Sequence, residues 1–360
     1  MADLVRPSPT FWAGKRVLVL GHTGFKGAWL SLWLRSLGAR VSGLSLPPDE
    51  PSLFVAAGVE RLVDNHYADI RDVEAVKRIT QQVEPEIVLH LAAQSLVRRS
   101  YAEPVETYAT NVMGTVHVLA AVNAVPSVRS VVVVTSDKCY ENREWHWAYR
   151  EDEPMGGHDP YSSSKGCAEL VTSAWRQSFA NGSRSLGIAS ARAGNVIGGG
   201  DWATDRLVPD CIRALSKGEQ IGIRNPASTR PWQHVLEPLN GYLLLAERIT
   251  EAPKNFSEGW NFGPVEEDAR PVSWIADRVV AAWGDNAQWS KVGSDPLHEA
   301  HFLKVDASKA RARLGWRPLL RLDQGLRWTV DWYKKFLAGG SALTLTEAQI
   351  EDYGRLSGEP

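Results

Sequence analysis

Two clusters of residues have types and spacing suited to chemistry. In "YSSSK", Tyr161 and Lys165 stand at i and i+4, so on a helix both reach the same face. A free phenol titrates near 10, and a neighbouring ammonium favours its ionised form. Tyr161 is therefore a candidate base for taking a hydroxyl proton near neutral pH. Lowering a phenol by about three units takes roughly 4 kcal/mol, a load that Lys165 would share with a bound ligand. The second cluster is "TSDKCYEN", Thr135 to Asn142, directly after the apolar run "VVVV". A short β-branched run reads as a buried strand. A strand that needs only a turn has no use for Ser136, Asp137 and Lys138 in a row at its carboxyl end. An acid that must deliver a proton needs a raised pKa, and an amine that must accept one needs a lowered pKa. Adjacent Asp and Lys stabilise each other's charged forms. The pair is useful if the two side chains address different atoms, or if Lys138 acts as an electrophile on developing negative charge.

A third feature binds rather than reacts. "GHTGFKG" sets Gly21, Gly24 and Gly27 in GxxGxxG spacing, with His22, Phe25 and Lys26 between them. Glycines here let the backbone approach a pyrophosphate, which the following helix N-terminus attracts. The loop follows the first strand of a βαβ unit, and that context marks a dinucleotide site. "ADIRD" offers Asp69 and Ile70 to an adenine, although Asp69 serves equally well near a helix N-cap. "LAAQS" offers Leu91, Ala92 and Ala93 along the cofactor. The second strand ends "GLSLPP", with neither an acid for ribose hydroxyls nor an arginine for a 2′-phosphate. NAD is the expected cofactor, but this segment alone leaves NAD and NADP open.

The elements that must position these residues alternate. Strands at "RVLVLG", "ARVSGLSL", "EIVLHLAA", "SVVVVTS" and "LGIASARAGNVIG" are interleaved with helices at "KGAWLSLWLRSLG", "DVEAVKRITQQV", "ETYATNVMGTVHVLAAVNAV" and "SSSKGCAELVTSAWRQSFA". Such alternation predicts an α/β fold: a Rossmann-type doubly wound parallel sheet with ligands beyond the carboxyl ends of its strands. After Gly198 the pattern becomes irregular, while "EPLNGYLLLAERI" and "WNFGP" predict one more helix and strand returning to the sheet. The expected division is a dinucleotide-binding unit of residues 1–196 plus about 232–265, and a smaller, discontinuous substrate unit of about 197–231 and 266–360. The 360 residues carry a net charge of −2, which gives no reason to expect nucleic acid or an anionic membrane as partner. No apolar run is long enough to span a bilayer, and the first ten residues lack the shape of a signal peptide. Cys139, Cys167 and Cys211 form no paired framework, which suits a reducing cytoplasm. No metal-ligand cluster is evident.

The glycine loop, the hydroxyl after the middle strand and YxxxK together resemble the extended short-chain dehydrogenase/reductase superfamily, along nearly the whole chain. "NVMGT" at Asn111, "ARAGNVIG" at Arg192, "RPWQHV" at Arg230 and "LKVDASKARARLGWRP" continue the likeness. Within that superfamily the chain resembles the nucleotide-sugar 4,6-dehydratases. There the middle strand ends in Thr-Asp-Glu, and epimerases tend to lack the acidic pair. Here Ser136, Asp137 and Lys138 occupy those places, with Asp kept and Lys in place of Glu. The resemblance implies a catalytic set of Ser136, Asp137, Lys138, Tyr161 and Lys165. It implies substrate contacts from Asn195, Arg206, Leu207 and Arg230, with Arg230 on the diphosphate, and from Glu299 on the pyrimidine side. Arg192 is read equally well as structural. The resemblance also implies a homodimer through the helices around Asn111 and Lys165. The rival readings are an epimerase or dehydratase for another nucleotide sugar, and a non-catalytic dinucleotide sensor, which would be expected to carry a broken Tyr–Lys pair.

Overall fold

The computed structural model describes residues 6–180, 185–293 and 302–356. Seven strands form one parallel sheet: β1 (Arg16–Leu20), β2 (Arg40–Ser45), β3 (Asp64–Tyr67), β4 (Ile87–His90), β5 (Ser130–Val134), β6 (Gly187–Ala193) and β7 (Gly259–Phe262). Their order is β7-β6-β5-β4-β1-β2-β3, and every neighbouring pair runs parallel. The order reverses between β1 and β4, so a crevice opens there at the carboxyl edge. Alternation along the strands divides the core into two layers. Val17, Val19, Val132 and Val134 join one cluster, whereas Leu18, Leu20, Val131 and Val133 join the other.

Helices cover both faces. The long ones are α1 (Phe25–Ser36), α2 (Val73–Val83), α3 (Gly114–Asn123), α4 (Pro160–Phe179), α5 (Leu207–Leu215), α6 (Leu236–Glu251), α7 (Val272–Trp283), α8 (Leu322–Leu337) and α9 (Ala342–Arg355). α1 stops before Gly38, whose φ of 83° suits glycine. α2 starts on Asp72, whose carboxylate accepts from the N–H groups of Glu74 and Ala75 at 3.1 and 3.0 Å. Among the described residues no helix is long and apolar enough to cross a membrane.

Two expected elements differ in detail. The segment "ETYATNVMGTVHVLAAVNAV" is not one α-helix. A π turn over Ala109–Met113 separates Pro104–Tyr108 from α3. Its cause is visible in Asn111, which turns inward to accept from Gln94 N–H (2.8 Å) and to donate to Gln94 C=O (2.9 Å) and Ser164 Oγ (2.8 Å). The strand expected through "ARAGNVIG" ends at Ala193, and Val196–Ile197 pair instead with Gln233–His234. Gly194 sits between, where a Cβ would lie 2.4 Å from Pro231 Cγ.

Beyond the sheet, Thr229–Pro231 pairs antiparallel with Ala269–Pro271, and Ile221–Ile223 pairs parallel with Trp289–Lys291. These small ribbons, with α5 and α7, build the wall that faces the carboxyl ends of the strands.

Candidate active site

A cavity of about 1340 Å³ runs along the carboxyl edge of the sheet. At one end the glycine loop closes on the sheet. Gly21 has φ 86°, and a Cβ there would come within 2.7 Å of Ala92 N. A Cβ on Gly27 would lie 2.1 Å from Gly21 O, so the first turn of α1 packs on the loop only without a side chain. Gly24 is the N-cap of α1 and is exposed. Phe25 and Lys26 line the cavity, as do Leu91, Ala92, Ala93, Asp69 and Ile70. Burial brings the Lys26 ammonium down to about 8, helped by the cations Arg206 and Lys165. Asp69 holds Arg71 through both carboxylate oxygens, and that contact, set against burial, lowers its pKa.

His22 departs from the expectation of a cofactor contact through its side chain. The imidazole is fully buried, 2.9 Å from Asn65 Oδ1 and edge-on to Phe54. It fills the space left by Gly43, where a Cβ would lie 2.2 Å from the ring, and it does not line the cavity. Sequence reading also sought an acid directly at the end of β2 and missed Asp49 and Glu50, which reach the cavity wall from the following loop. Their only sequence signal is an acidic pair between prolines in "PPDEP".

In the middle of the cavity lie Ser136, Asp137, Lys138, Tyr161 and Lys165. Tyr161 and Lys165 come from the first turns of α4, whose N-cap Asp159 accepts from Ser162 N–H at 2.8 Å. The other three follow β5. Asp137 is 3% exposed. Its Oδ1 accepts from Ser136 Oγ at 2.9 Å, and its Oδ2 has no hydrogen-bond partner among the described residues. Burial raises its pKa against the opposing pull of Lys138, Ser136, Arg230 and Lys26. The environment that a proton-donating acid requires is therefore present despite the adjacent lysine.

The protein's own groups raise the Tyr161 phenol. Burial pushes it up to about 12, and a hydrogen bond with Ser136 eases it only partly. Arg206 is the cation that draws it down. Lys165 Nζ lies 3.4 Å from the Val134 carbonyl, and burial brings Lys165 itself to about 8.

Arg230, Arg206, Leu207 and Asn195 line the other half of the cavity. Arg230 is buried and donates to Thr229 C=O at 3.0 Å. Arg206 bridges Asp201 (2.8 Å) and Ser95 Oγ (3.0 Å), and Asp201 had no sequence signal. Arg192 does not line the cavity. It is ion-paired with Glu169 at 2.8 Å, so of its two readings the structural one holds. Glu299 lies outside the described residues.

This arrangement can hold a dinucleotide along the glycine loop and a second, anionic ligand against Arg206 and Arg230. Between them stand a phenol, a protonatable buried carboxyl and two amines. That set suits oxidation of an alcohol followed by loss of a neighbouring hydroxyl.

Comparison with known proteins gives concordant findings. The family model described as GDP-mannose 4,6 dehydratase matches residues 18–329. A CDP-glucose 4,6-dehydratase of Salmonella typhimurium is 55% identical over 348 residues, covering 95% of this chain and 97% of that protein. Among solved structures, the dTDP-glucose 4,6-dehydratase of Bacillus anthracis in complex with NAD superposes with a TM-score of 0.75 at 20% identity, covering 91% of this chain and 99% of that one. The UDP-glucose 4-epimerase of Thermotoga maritima with UDP-glucose gives 0.76 at 23% identity, covering 89% and 99%. At such identities the structures establish the shared fold.

Proposed function

We infer the function of this chain from its family: it belongs to the GDP-mannose 4,6 dehydratase family. It is an NAD-dependent nucleotide-sugar 4,6-dehydratase, a hydro-lyase, and it converts CDP-D-glucose to CDP-4-dehydro-6-deoxy-D-glucose. The cytidine rests on the 55% identity to the Salmonella enzyme. The observation that carries dehydration rather than epimerisation is Asp137, a buried carboxyl with a raised pKa and an unpartnered oxygen beside the Tyr161 phenol.

The residues present fit a dinucleotide. Gly21 and Gly27 permit close backbone approach, and Lys26, Asp69, Ile70 and Leu91 to Ala93 line its path. NAD held there would supply a hydride acceptor for C4 of the sugar and a hydride donor for C6. The chain's own residues move the protons. Tyr161 takes the O4 proton as C4 is oxidised. Burial raises that phenol, and Ser136 and Arg206 pull it back towards the ionised form. The new 4-keto group acidifies C5. Lys138 takes the C5 proton, its ammonium then facing the negative charge of the enolate, Asp137 gives its proton to O6 so that water leaves, and Lys138 returns a proton to C5 as hydride is restored at C6. Arg230 and Arg206 hold the diphosphate, a role suited to guanidinium forks, and Asn195 and Leu207 flank it.

Residues 1–196 and about 232–265 form the dinucleotide unit of this reading, and about 197–231 with 266–360 the sugar-nucleotide unit. A second copy of the chain is the partner. Met113, Leu170 and Phe179 are large apolar residues exposed on the π turn before α3 and on α4, and burying them between two copies would make a four-helix contact. The cysteines are all free, in keeping with the cytoplasm. The test is incubation with NAD and a panel of CDP-, dTDP-, UDP- and GDP-glucose, followed by assay for the 4-keto product. CDP-glucose is expected to react fastest. Equal or faster turnover of another nucleotide, or a C4 epimer as product, contradicts the assignment.

A further inference from the structure

Behind the cavity wall lies an ionic cluster that the reaction as drawn does not use. Glu169 sits on α4 one turn beyond Lys165 and is 4% exposed. One carboxylate oxygen accepts from Thr135 Oγ1 at 2.5 Å. The other accepts from Ser190 Oγ at 2.6 Å and from Arg192 Nη2 at 2.8 Å. Arg192 in turn donates to the Tyr140 hydroxyl (2.7 Å) and the Glu151 carbonyl (3.0 Å). Gly259 makes room for it, since a Cβ there would lie 2.4 Å from Arg192 Nη2.

A buried ion pair of this kind is weak evidence for stability, because well-packed apolar replacements are often as stable or more so. Its position relative to the site is more informative. Thr135 is the residue before Ser136 and Asp137, so Glu169 grips the carboxyl end of β5 from beneath. Lys165 is faced by Lys26 from α1, by His90 at the end of β4, by Cys139 after β5, and on its own helix by Tyr161 and Glu169, with Arg192 behind. The Cys139 thiol is held well above its usual pKa by burial and stays neutral. His90, lowered by burial to about 3, is neutral as well. Glu169 is therefore the anion that faces the Lys165 ammonium near neutral pH.

We propose that Glu169, partnered by Arg192, is a positioning residue for this reaction: it anchors the end of β5 through Thr135 and keeps Lys165 positively charged. Burial works to strip the proton from Lys165, and Glu169 opposes it. The inference rests on the NAD-dependent reading, because a charged Lys165 matters as a donor to the cofactor.

The test compares Glu169→Gln with the wild type. Glutamine keeps a carbonyl acceptor for one of the two hydroxyls and offers its NH2 to the other, which can turn to accept, but it leaves Arg192 uncompensated beside Lys165. NAD affinity is measured by calorimetry without sugar between about pH 6 and about pH 10. The pH at which affinity falls should move down by about one unit or more in the variant, and the alkaline limb of kcat/KM should move with it. The double variant Glu169→Gln/Arg192→Met removes both charges and should return the midpoint towards that of the wild type. An unchanged midpoint in Glu169→Gln, with only a lower Tm, overturns the proposal and leaves the pair as a tie between α4 and β6. If Glu169→Gln does not fold, Arg192→Met decides: the midpoint should rise, and an unmoved midpoint again overturns it. Because the binding titration needs no sugar, absence of a 4-keto product from CDP-glucose would sink the functional reading while leaving this measurement intact.

Discussion

At the scale of single residues, the account separates the first hydride step from the elimination. Tyr161→Phe removes the O4 base and keeps the ring, so kcat should fall by about 10²–10⁴-fold with nucleotide-sugar affinity largely kept. A variant within threefold of wild type would remove Tyr161 from the mechanism. Asp137→Asn leaves the first step intact but cannot protonate O6. Mixed with CDP-glucose, it should reduce its NAD and stall, giving a reduced-nicotinamide absorbance that persists while little 6-deoxy product forms. If Asp137→Asn instead blocks cofactor reduction as fully as Tyr161→Phe does, Asp137 belongs to substrate positioning. The raised pKa of Asp137 is what makes the acid role physically reasonable beside Lys138. Burial outweighs the adjacent ammonium, and Gly194 lets the carboxyl sit in the wall, where a Cβ would lie 3.1 Å from Oδ2.

At the scale of elements, the glycine loop is the most exacting piece of backbone. Gly27→Ala would put a methyl 2.1 Å from the Gly21 carbonyl, so the loop or the first turn of α1 must shift. NAD affinity should fall at least about tenfold, a little over one kcal/mol, measured by calorimetry with the fold checked by circular dichroism. Undiminished affinity would mean that this loop does not set the cofactor's approach. The same elements show what a sequence can and cannot reveal. Gly21, Gly24, Gly27, Tyr161 and Lys165 were legible because spacing along one regular element decides which side chains share a face. Asp137 was legible because an acid at the end of an apolar strand has little structural reason to be there. His22 misled because its neighbours are loop glycines, while its orientation depends on the hole at Gly43, a contact between distant segments. The π turn at Asn111 and the Glu169 network likewise depend on partners far away along the chain. The burial of the Tyr161 phenol was likewise out of reach of the sequence, because it is contributed by the whole fold.

At the scale of the whole molecule, the C-terminal helices are tied to the sheet layer through one carboxyl. Glu237 on α6 is fully buried and accepts from Leu319 N–H (2.9 Å), Leu320 N–H (2.7 Å) and the Tyr353 hydroxyl (3.0 Å). Burial raises its pKa from 4.5 to about 8. Between those values the unfolded chain has lost this proton and the folded one keeps it. Stability from this group is therefore greatest below the lower value and falls as pH rises to about 8. Glu237→Gln keeps the acceptor and removes the titration, so its Tm should decline less than that of the wild type between about pH 5 and about pH 8.5. Parallel declines in calorimetry would show that this carboxyl does not titrate as its burial implies. The central claim is a dehydration in which hydride leaves and returns within one sugar. The most direct test is CDP-glucose carrying deuterium at C4, turned over by the wild-type protein with NAD and examined by NMR. The account predicts a 4-keto-6-deoxy product with the deuterium at C6 and no net reduction of NAD. Deuterium found back at C4 of an epimer, or a 4-keto sugar that retains its C6 hydroxyl, would contradict it.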